Sequence, residues 1–174
     1  MRRTSSTLLV ALTFLMAASA ALADAPSDFL TKATQISMAE VALGKLAQKN
    51  AQSAGVNALG VRLERDHARI GKILATVARE KGVTVPVSLE GGGGSAMESL
   101  SAKTGAEFDA AYTAQMVSDQ TKAVALFTAA AESGDADLSQ LAKMVLPTLR
   151  EDARLAGSFE KLNPGANVPA VASR

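Results

Sequence analysis

Apolar residues recur at intervals of three and four along four stretches of this sequence, and no other feature constrains the fold as strongly. That spacing places the apolar side chains on one face of an α-helix. It predicts four long amphipathic helices, over residues 26–55, 56–82, 108–134 and 135–159. Four helices of this length bury a shared core, so we expect an all-α protein.

The longest break in the pattern predicts how the helices are connected. Residues 83–95 contain Val-Thr-Val-Pro-Val and the glycines Gly91–Gly94, a composition that does not sustain a helix. At about 3.3 Å per residue, this segment spans roughly the length of a bundle helix. Two antiparallel helix hairpins joined by such a long crossover make a ferritin-like four-helix bundle, which is the fold we predict. In the alternative, the glycines separate two domains, but neither helix pair would then have a sufficient core.

Glycine, proline and capping residues predict local features of this bundle. Gly55 is expected in a tight turn between the first two helices, and Gly82 after the second. Asp135 is expected to cap the fourth helix, and Pro147 to kink or open it. Small residues on the inner faces predict that the helices approach closely, among them Gly44, Gly60 and Gly71.

The beginning of the chain is typical of an export signal. Arg2 and Arg3 precede an uncharged apolar stretch at 8–23, which ends in Ala21-Leu22-Ala23. This run is shorter than the roughly 20 residues of a membrane span. We predict cleavage after Ala23, with 18–20 as a second possible site and an uncleaved N-terminal anchor as the alternative. The chain then divides into a signal peptide (1–23), a bundle domain (24–162) and a disordered C-terminal tail (163–174).

Charge and composition exclude several classes of function. The 18 Lys and Arg residues balance 17 Asp and Glu residues, and residues 1–23 contain two of the arginines and no acid, so the mature chain is about neutral. That balance argues against nucleic-acid partners. The sequence has no Cys, which excludes disulfides, thiolate nucleophiles and zinc fingers. Only 3% of its residues are aromatic, which argues against stacking platforms for single-stranded nucleic acid or sugars. Export without Cys indicates a bacterial periplasmic protein without a stable transmembrane segment after cleavage, the alternative being outer-membrane association.

Polar residues interrupt the apolar face of each predicted helix. One side chain per helix combines an inward position with the ability to bind a metal, namely Glu40, His67, Asp119 and Asp152. Counting from the turns, the two members of each hairpin lie near one level. Glu64 and His67 also form Glu-x-x-His, the spacing that supplies two ligands from one helix in di-iron carboxylate bundles.

Three interpretations of these polar residues stay open. They form a buried hydrogen-bonded network without a ligand, they hold iron or manganese, or the periodicity misplaces residues that face solvent. The metal hypothesis takes Glu40, Glu64, His67, Asp119 and Asp152 as its ligands. The Lys and Arg residues at 62, 65, 69, 72 and 79 are interpreted as a solvated helix face.

Several motifs resemble the bacterial domain-of-unknown-function 4142 family over about residues 28–160. The similar segments are Phe29-Leu-Thr-Lys-Ala, Met38-Ala-Glu-Val-Ala-Leu-Gly-Lys-Leu-Ala, Asp66-His67, Gly105-Ala-Glu-Phe-Asp-Ala-Ala-Tyr112, Met116-Val-Ser-Asp119, Ala123-Val-Ala-Leu-Phe127 and Leu146-Pro-Thr-Leu149. The resemblance implies a ferritin-like four-helix bundle, usually exported, without an established activity.

The chain departs from that family at two positions. Relatives typically carry Asp-His in the second helix, another Asp-His in the third and a His after Leu-Pro-x-Leu in the fourth. Only the first is kept here: Gln120 stands in place of the second His and Asp152 in place of the third. If these histidines bind metal in relatives, this chain has lost two nitrogen ligands, which argues against ferroxidase-like chemistry.

The sequence thus supports three functional hypotheses. The first is a non-catalytic binding or stress-related accessory protein in the periplasm, because no nucleophile–base pair or phosphate-binding loop is present in the sequence. The second is a metal-binding bundle with oxygen or peroxide chemistry. The third is a cell-envelope protein that contacts a protein partner through Gly91–Gly94 or the C-terminal tail.

Overall fold

The computed structural model describes residues 10–89 and 91–162, with only the helical backbone for 10–24. This part of the chain contains five helices and no β-strand, which confirms the all-α prediction. The helices are α1 (Val10–Asn50), α2 (Ala54–Glu80), α3 (Gly92–Ser101), α4 (Gly105–Ala131) and α5 (Ala136–Leu162). None of the helices in these ranges is both long and apolar enough to cross a membrane.

The helices pack as two hairpins that lie against each other. α1 runs along α2, and α4 runs along α5. α1 also contacts α4, α2 contacts α5, and the short α3 lies against α1 and α4. The amphipathic faces predicted from the sequence are therefore buried in one bundle.

The first helix begins earlier than predicted. The sequence indicated a start at 26–28, but α1 runs from Val10 through Pro26 to Asn50. Residues 10–23 are rich in Ala and Leu, which have high helix propensity, so nothing in their composition stops the helix. Residues 1–9 lie outside the described ranges, and signal cleavage stays a prediction.

The turn between α1 and α2 differs from the prediction. It consists of residues 51–53, and Gly55 lies inside the first turn of α2. Ser53 caps α2, because its hydroxyl accepts a hydrogen bond from the Gly55 N–H at 3.2 Å. A Cβ atom at Gly55 would lie 2.6 Å from the Phe159 ring of α5, so a larger residue here would force that ring to move.

The prediction that Gly91–Gly94 cannot form a helix is wrong. Gly91, with φ +59°, precedes α3, and Gly92 to Gly94 form its first turn. Burial of Ala96 and Leu100 stabilises this helix despite the low propensity of glycine. A Cβ at Gly93 would lie 2.9 Å from the Ala39 Cβ, so glycine allows α3 to approach α1 closely. The crossover is therefore shorter than the predicted 83–95.

The remaining helix ends are mostly as predicted. α2 ends before Gly82, which has φ +67°, and Asp135 caps α5 by accepting hydrogen bonds from the backbone of Asp137 and Leu138. α5 continues through Pro147 without an interruption. The predicted disordered tail at 163–174 lies outside the described residues.

Candidate functional site: a buried polar layer

Each of the four long helices places one polar side chain at the same level of the bundle interior. The residues are Glu40, His67, Gln120 and Asp152, each exposed by 1% or less. They separate two apolar clusters, one around Phe127 and the other around Phe108. We call these four residues the polar layer.

Glu40 is held in its neutral form. Burial raises the pKa of its carboxyl group to about 8, and the negative charge of Asp119 adds to the shift, while the nearby Gln120 amide opposes it. The Gln120 amide makes at most a distorted hydrogen bond to this carboxyl group, because no hydrogen bond of normal geometry reaches either Glu40 oxygen from the described residues. At neutral pH this side chain therefore carries a proton and lacks full hydrogen bonding.

His67 is also neutral, for the same physical reason. Burial lowers the pKa of its imidazole to about 4, although Gln120 and Asp66 oppose the shift. The Nε2 atoms of Gln120 and His67 lie 3.0 Å apart. If the Gln120 amide donates to His67 Nε2, the ring proton is on Nδ1, and Nδ1 has no partner among the described residues.

Asp152 has a cation as its partner. Arg62 Nε donates to Asp152 Oδ1 at 2.7 Å, while no described group hydrogen-bonds to Oδ2. Burial raises the pKa of Asp152, and the guanidinium group opposes this. Arg62 thus reaches into the bundle, so the prediction of a wholly solvated basic face on α2 is wrong at this residue.

Asp66, beside His67, lies between several arginines. Its side chain is buried, and its carboxylate accepts two hydrogen bonds from Arg65, at 2.9 and 3.1 Å. Arg62 Nε lies 3.6 Å from the same carboxylate. Asp66 and Asp152 therefore share the Arg62 guanidinium at the α2–α5 contact.

Two of the predicted site residues lie outside the polar layer. Asp119 is at the edge of the bundle, where it accepts hydrogen bonds from Gln115 at 2.6 Å and Lys122 at 3.0 Å. The inward residue of α4 is its neighbour Gln120. Glu64 faces α1 near the surface and accepts a hydrogen bond from Gln48 at 2.5 Å. Glu64 and His67 therefore do not form a pair of ligands.

The family assignment agrees with the motifs described above. A family model described as "Domain of unknown function (DUF4142)" matches residues 12–158. The chain belongs to this family. No curated protein and no solved structure matches the DUF4142 chain.

The described donor groups of this DUF4142 chain are not gathered into a metal centre. In the described ranges, no three Asp, Glu or His side chains lie close enough together to hold a metal ion. Gln120 contacts His67 Nε2, and Arg62 occupies one oxygen of Asp152. A guanidinium group and an amide thus stand where a bundle metal site has carboxylate and imidazole ligands.

Two grooves of the DUF4142 bundle reach the polar layer from opposite sides of α1. The α1–α4 groove, with a volume of about 460 Å³, contains Glu40 in its lining. The α1–α2 groove, with a volume of about 540 Å³, contains His67. Both are mainly apolar, so each combines an apolar surface with one buried polar group, an arrangement typical of small-molecule sites.

Proposed function

We propose that this chain is an exported, ferritin-like four-helix bundle that binds a small molecule without catalysis, in a binding or stress-related accessory role. The observation that carries the proposal is that Glu40 and His67, both buried and incompletely hydrogen-bonded, each line a groove. An unpaired buried polar group costs free energy in the empty protein, and a ligand that pairs with it recovers that cost.

The ferritin-like arrangement is supported by the order of the helices. The two hairpins α1–α2 and α4–α5 are joined by a crossover that leads into α3. A crossover of this kind lets α4, the third long helix, start at the end of the bundle where α1 ends. The isolated bridge between Ala51 and Gly105, at the end of α1 and the start of α4, agrees with this connection.

The protonation states in the layer favour hydrogen bonding to a ligand. The pKa of about 8 for Glu40 and of about 4 for His67 keep both side chains neutral at neutral pH. In these forms Glu40 does not act as a general base and His67 does not act as a general acid, whereas both can hydrogen-bond a ligand.

Binding is tested by NMR with a set of small fragments. We expect amide shift changes that cluster on residues lining the α1–α4 or the α1–α2 groove, such as Ala39 or Ala68. If no fragment perturbs either groove, the proposal of a binding protein is wrong.

Export is proposed from residues 1–23, with the periplasm as the destination and association with the outer membrane as the alternative. The intact mass of the protein recovered from a periplasmic fraction is expected to equal that of residues 24–174. A mass that includes residues 1–23 would contradict cleavage after Ala23.

Metal binding is the second candidate, favoured by buried atoms that lack partners: Glu40 Oε1 and Oε2, His67 Nδ1 and Asp152 Oδ2. Elemental analysis of untagged protein and of His67→Ala, after anaerobic Fe(II) loading, separates the two candidates. We expect both preparations to be free of bound iron and manganese. Near-stoichiometric metal that disappears in His67→Ala would establish the metal site instead.

A further inference from the structure

We propose that the α1–α4 groove binds an organic ammonium ion with an apolar body, held by the carboxyl groups of Glu40 and Asp119. This inference rests on the proposed binding function and names the ligand class of one groove. It follows from three features of the groove: its buried acid without a cationic partner, its second carboxylate and its apolar walls.

The acidic end of the groove is built from two helices. Glu40 of α1 is buried, and no normal hydrogen bond reaches its oxygens from the described residues. Asp119 of α4 lines the same groove and is close enough for its charge to raise the pKa of Glu40. An ammonium group has three N–H donors and one positive charge, so it pairs with Glu40 and reduces its repulsion with Asp119.

The cations of the groove do not supply this charge to Glu40. Lys122 pairs with Asp119 at 3.0 Å and is 66% exposed, and Lys32 pairs with Asp28 at 3.0 Å and is 62% exposed. Both lysines therefore lie toward solvent. The buried end of the groove keeps an acid without a basic partner in the described part of the chain, which favours a positively charged ligand.

The rest of the groove suits an alkyl chain. Ile36, Ala39 and Leu126 contribute apolar surface, and Gly93 of α3 closes one side. The volume of about 460 Å³ lies within the usual range for small-molecule sites. A bare divalent cation would gain nothing from these apolar walls and would find few oxygen ligands, whereas methylene groups are transferred favourably from water.

Binding of a cation must be linked to proton release. Glu40 is protonated at neutral pH, because its pKa is about 8, and an ammonium partner favours the ionised form. The titratable and charged groups that surround Glu40 or share its groove are Asp119, Tyr112 and Lys122 of α4, Asp152 of α5, His67 of α2 across Gln120, and Lys32 of α1. Of these, Asp119 has the largest effect on Glu40.

The experiment compares hexylammonium chloride with 1-hexanol, its uncharged analogue, by calorimetric titration and by proton release in weakly buffered KCl. We expect hexylammonium to bind at least about tenfold more tightly than 1-hexanol and to release about one proton at pH 7. Its affinity should rise up to about tenfold per pH unit between pH 6 and pH 8 and then level off.

Glu40→Gln is the main variant, and Glu80→Gln, an exposed acid at the end of α2, is the matched control. We expect Glu40→Gln to lose the proton release and at least about tenfold in affinity for hexylammonium, and Glu80→Gln to behave as wild type. Above pH 8, where Glu40 is already ionised, Asp119→Asn should weaken binding because it removes one negative charge from the groove. Circular dichroism confirms that each variant is folded.

Three results would overturn this inference. They are equal binding of 1-hexanol and hexylammonium, unchanged hexylammonium binding in Glu40→Gln, or no binding of either compound. In each case the broader proposal of a small-molecule-binding bundle still stands if fragments perturb one of the grooves. A failure of the ammonium proposal is therefore distinguishable from a failure of the proposed function.

Discussion

Glu40 and His67 stay neutral in the folded protein over a pH range in which the same groups become charged in water. A carboxyl group is normally ionised at pH 7, and an imidazole is partly protonated just below it. Removing a charge from water is costly, so burial raises the pKa of Glu40 and lowers that of His67. Both side chains are consequently neutral between about pH 4 and pH 8.

These shifts predict how stability depends on pH. Between the ordinary pKa of 4.5 and the folded pKa of about 8, Glu40 keeps its proton only in the folded protein, so its ionisation favours unfolding as the pH rises. His67 has the opposite effect between its ordinary pKa of 6.5 and its folded pKa of about 4. In this range the unfolded protein binds a proton at His67 that the folded protein does not, so stability is lost as the pH falls.

The variant Glu40→Gln isolates the first effect. Relative to wild type, its free energy of unfolding should increase by up to about 1.4 kcal/mol per pH unit from pH 5 to pH 8, because glutamine never ionises. Urea denaturation at several pH values measures this difference. A constant difference over that range would mean that Glu40 has an ordinary pKa.

The Arg62–Asp152 contact should stabilise the fold as a pair. In Arg62→Met, Asp152 keeps its buried position without a cationic partner, and we expect a loss of about 2 kcal/mol. The expected loss of stability is smaller than for a fully buried ion pair, because the Arg62 side chain is 32% exposed. Arg62→Met combined with Asp152→Leu should recover most of the loss in a double-mutant cycle. Additive losses would show that the two groups act independently.

At the scale of helices, periodicity predicted the four long elements but not all of their ends. Low helix propensity predicts a linker at the glycine run, whereas buried contacts of Ala96 and Leu100 stabilise α3 there.

Asp109 has a structural role that the sequence does not indicate. Its carboxylate accepts hydrogen bonds from the backbone N–H groups of Gln52 and Ser53, at 3.0 and 2.7 Å. That contact joins residues more than 50 positions apart, so no local pattern indicates it.

Asp109 should therefore anchor the turn before α2. We expect Asp109→Ala to lose about 2 kcal/mol, because it removes two charge-assisted hydrogen bonds from a buried position. Asp28→Ala, which removes an exposed acid paired with Lys32, should change stability by less than about 0.5 kcal/mol. Thermal denaturation of both variants provides the comparison, and equal effects would contradict the anchoring role.

The close packing of α1 on α2 depends on specific glycines. A Cβ atom at Gly44 would lie 2.6 Å from the backbone oxygen of Gly60, so Gly44→Ala should cost at least about 2 kcal/mol. At Gly71 the nearest atom to a new Cβ is 3.9 Å away, at Ser37. Gly71→Ala should then be neutral or stabilise by up to about 1 kcal/mol through helix propensity. Similar losses in both variants would show that the helices are not packed this closely.

At the scale of the whole molecule, the polar layer divides the apolar core at one level. The sequence indicated three of its four members, since Glu40, His67 and Asp152 interrupt apolar faces at helical spacing. The fourth was ambiguous, because positions 119 and 120 lie three and four residues after Met116 and both fit that spacing. The spacing to Met116 and Ala123 fits Asp119, the predicted residue, whereas the family resemblance places Gln120 where relatives have a histidine.

Three-dimensional contacts decide the chemistry of this layer. Arg62 lies on a face that periodicity assigned to solvent, and its side chain reaches Asp152 across 90 positions of sequence. The grooves arise where α1 meets α2 and α4, so their lining depends on helix packing that spacing alone does not specify. The sequence could therefore predict three of the four inward polar residues but not their partners.

The most direct test of this account is the titration of the Glu40 carboxyl carbon by carbon-13 NMR, assigned by comparison with Glu40→Gln. We predict a midpoint near pH 8, because the account requires a buried, neutral acid that is available to a cationic ligand. A midpoint near the ordinary value of 4.5 would contradict it, since Glu40 would then be ionised and paired at neutral pH.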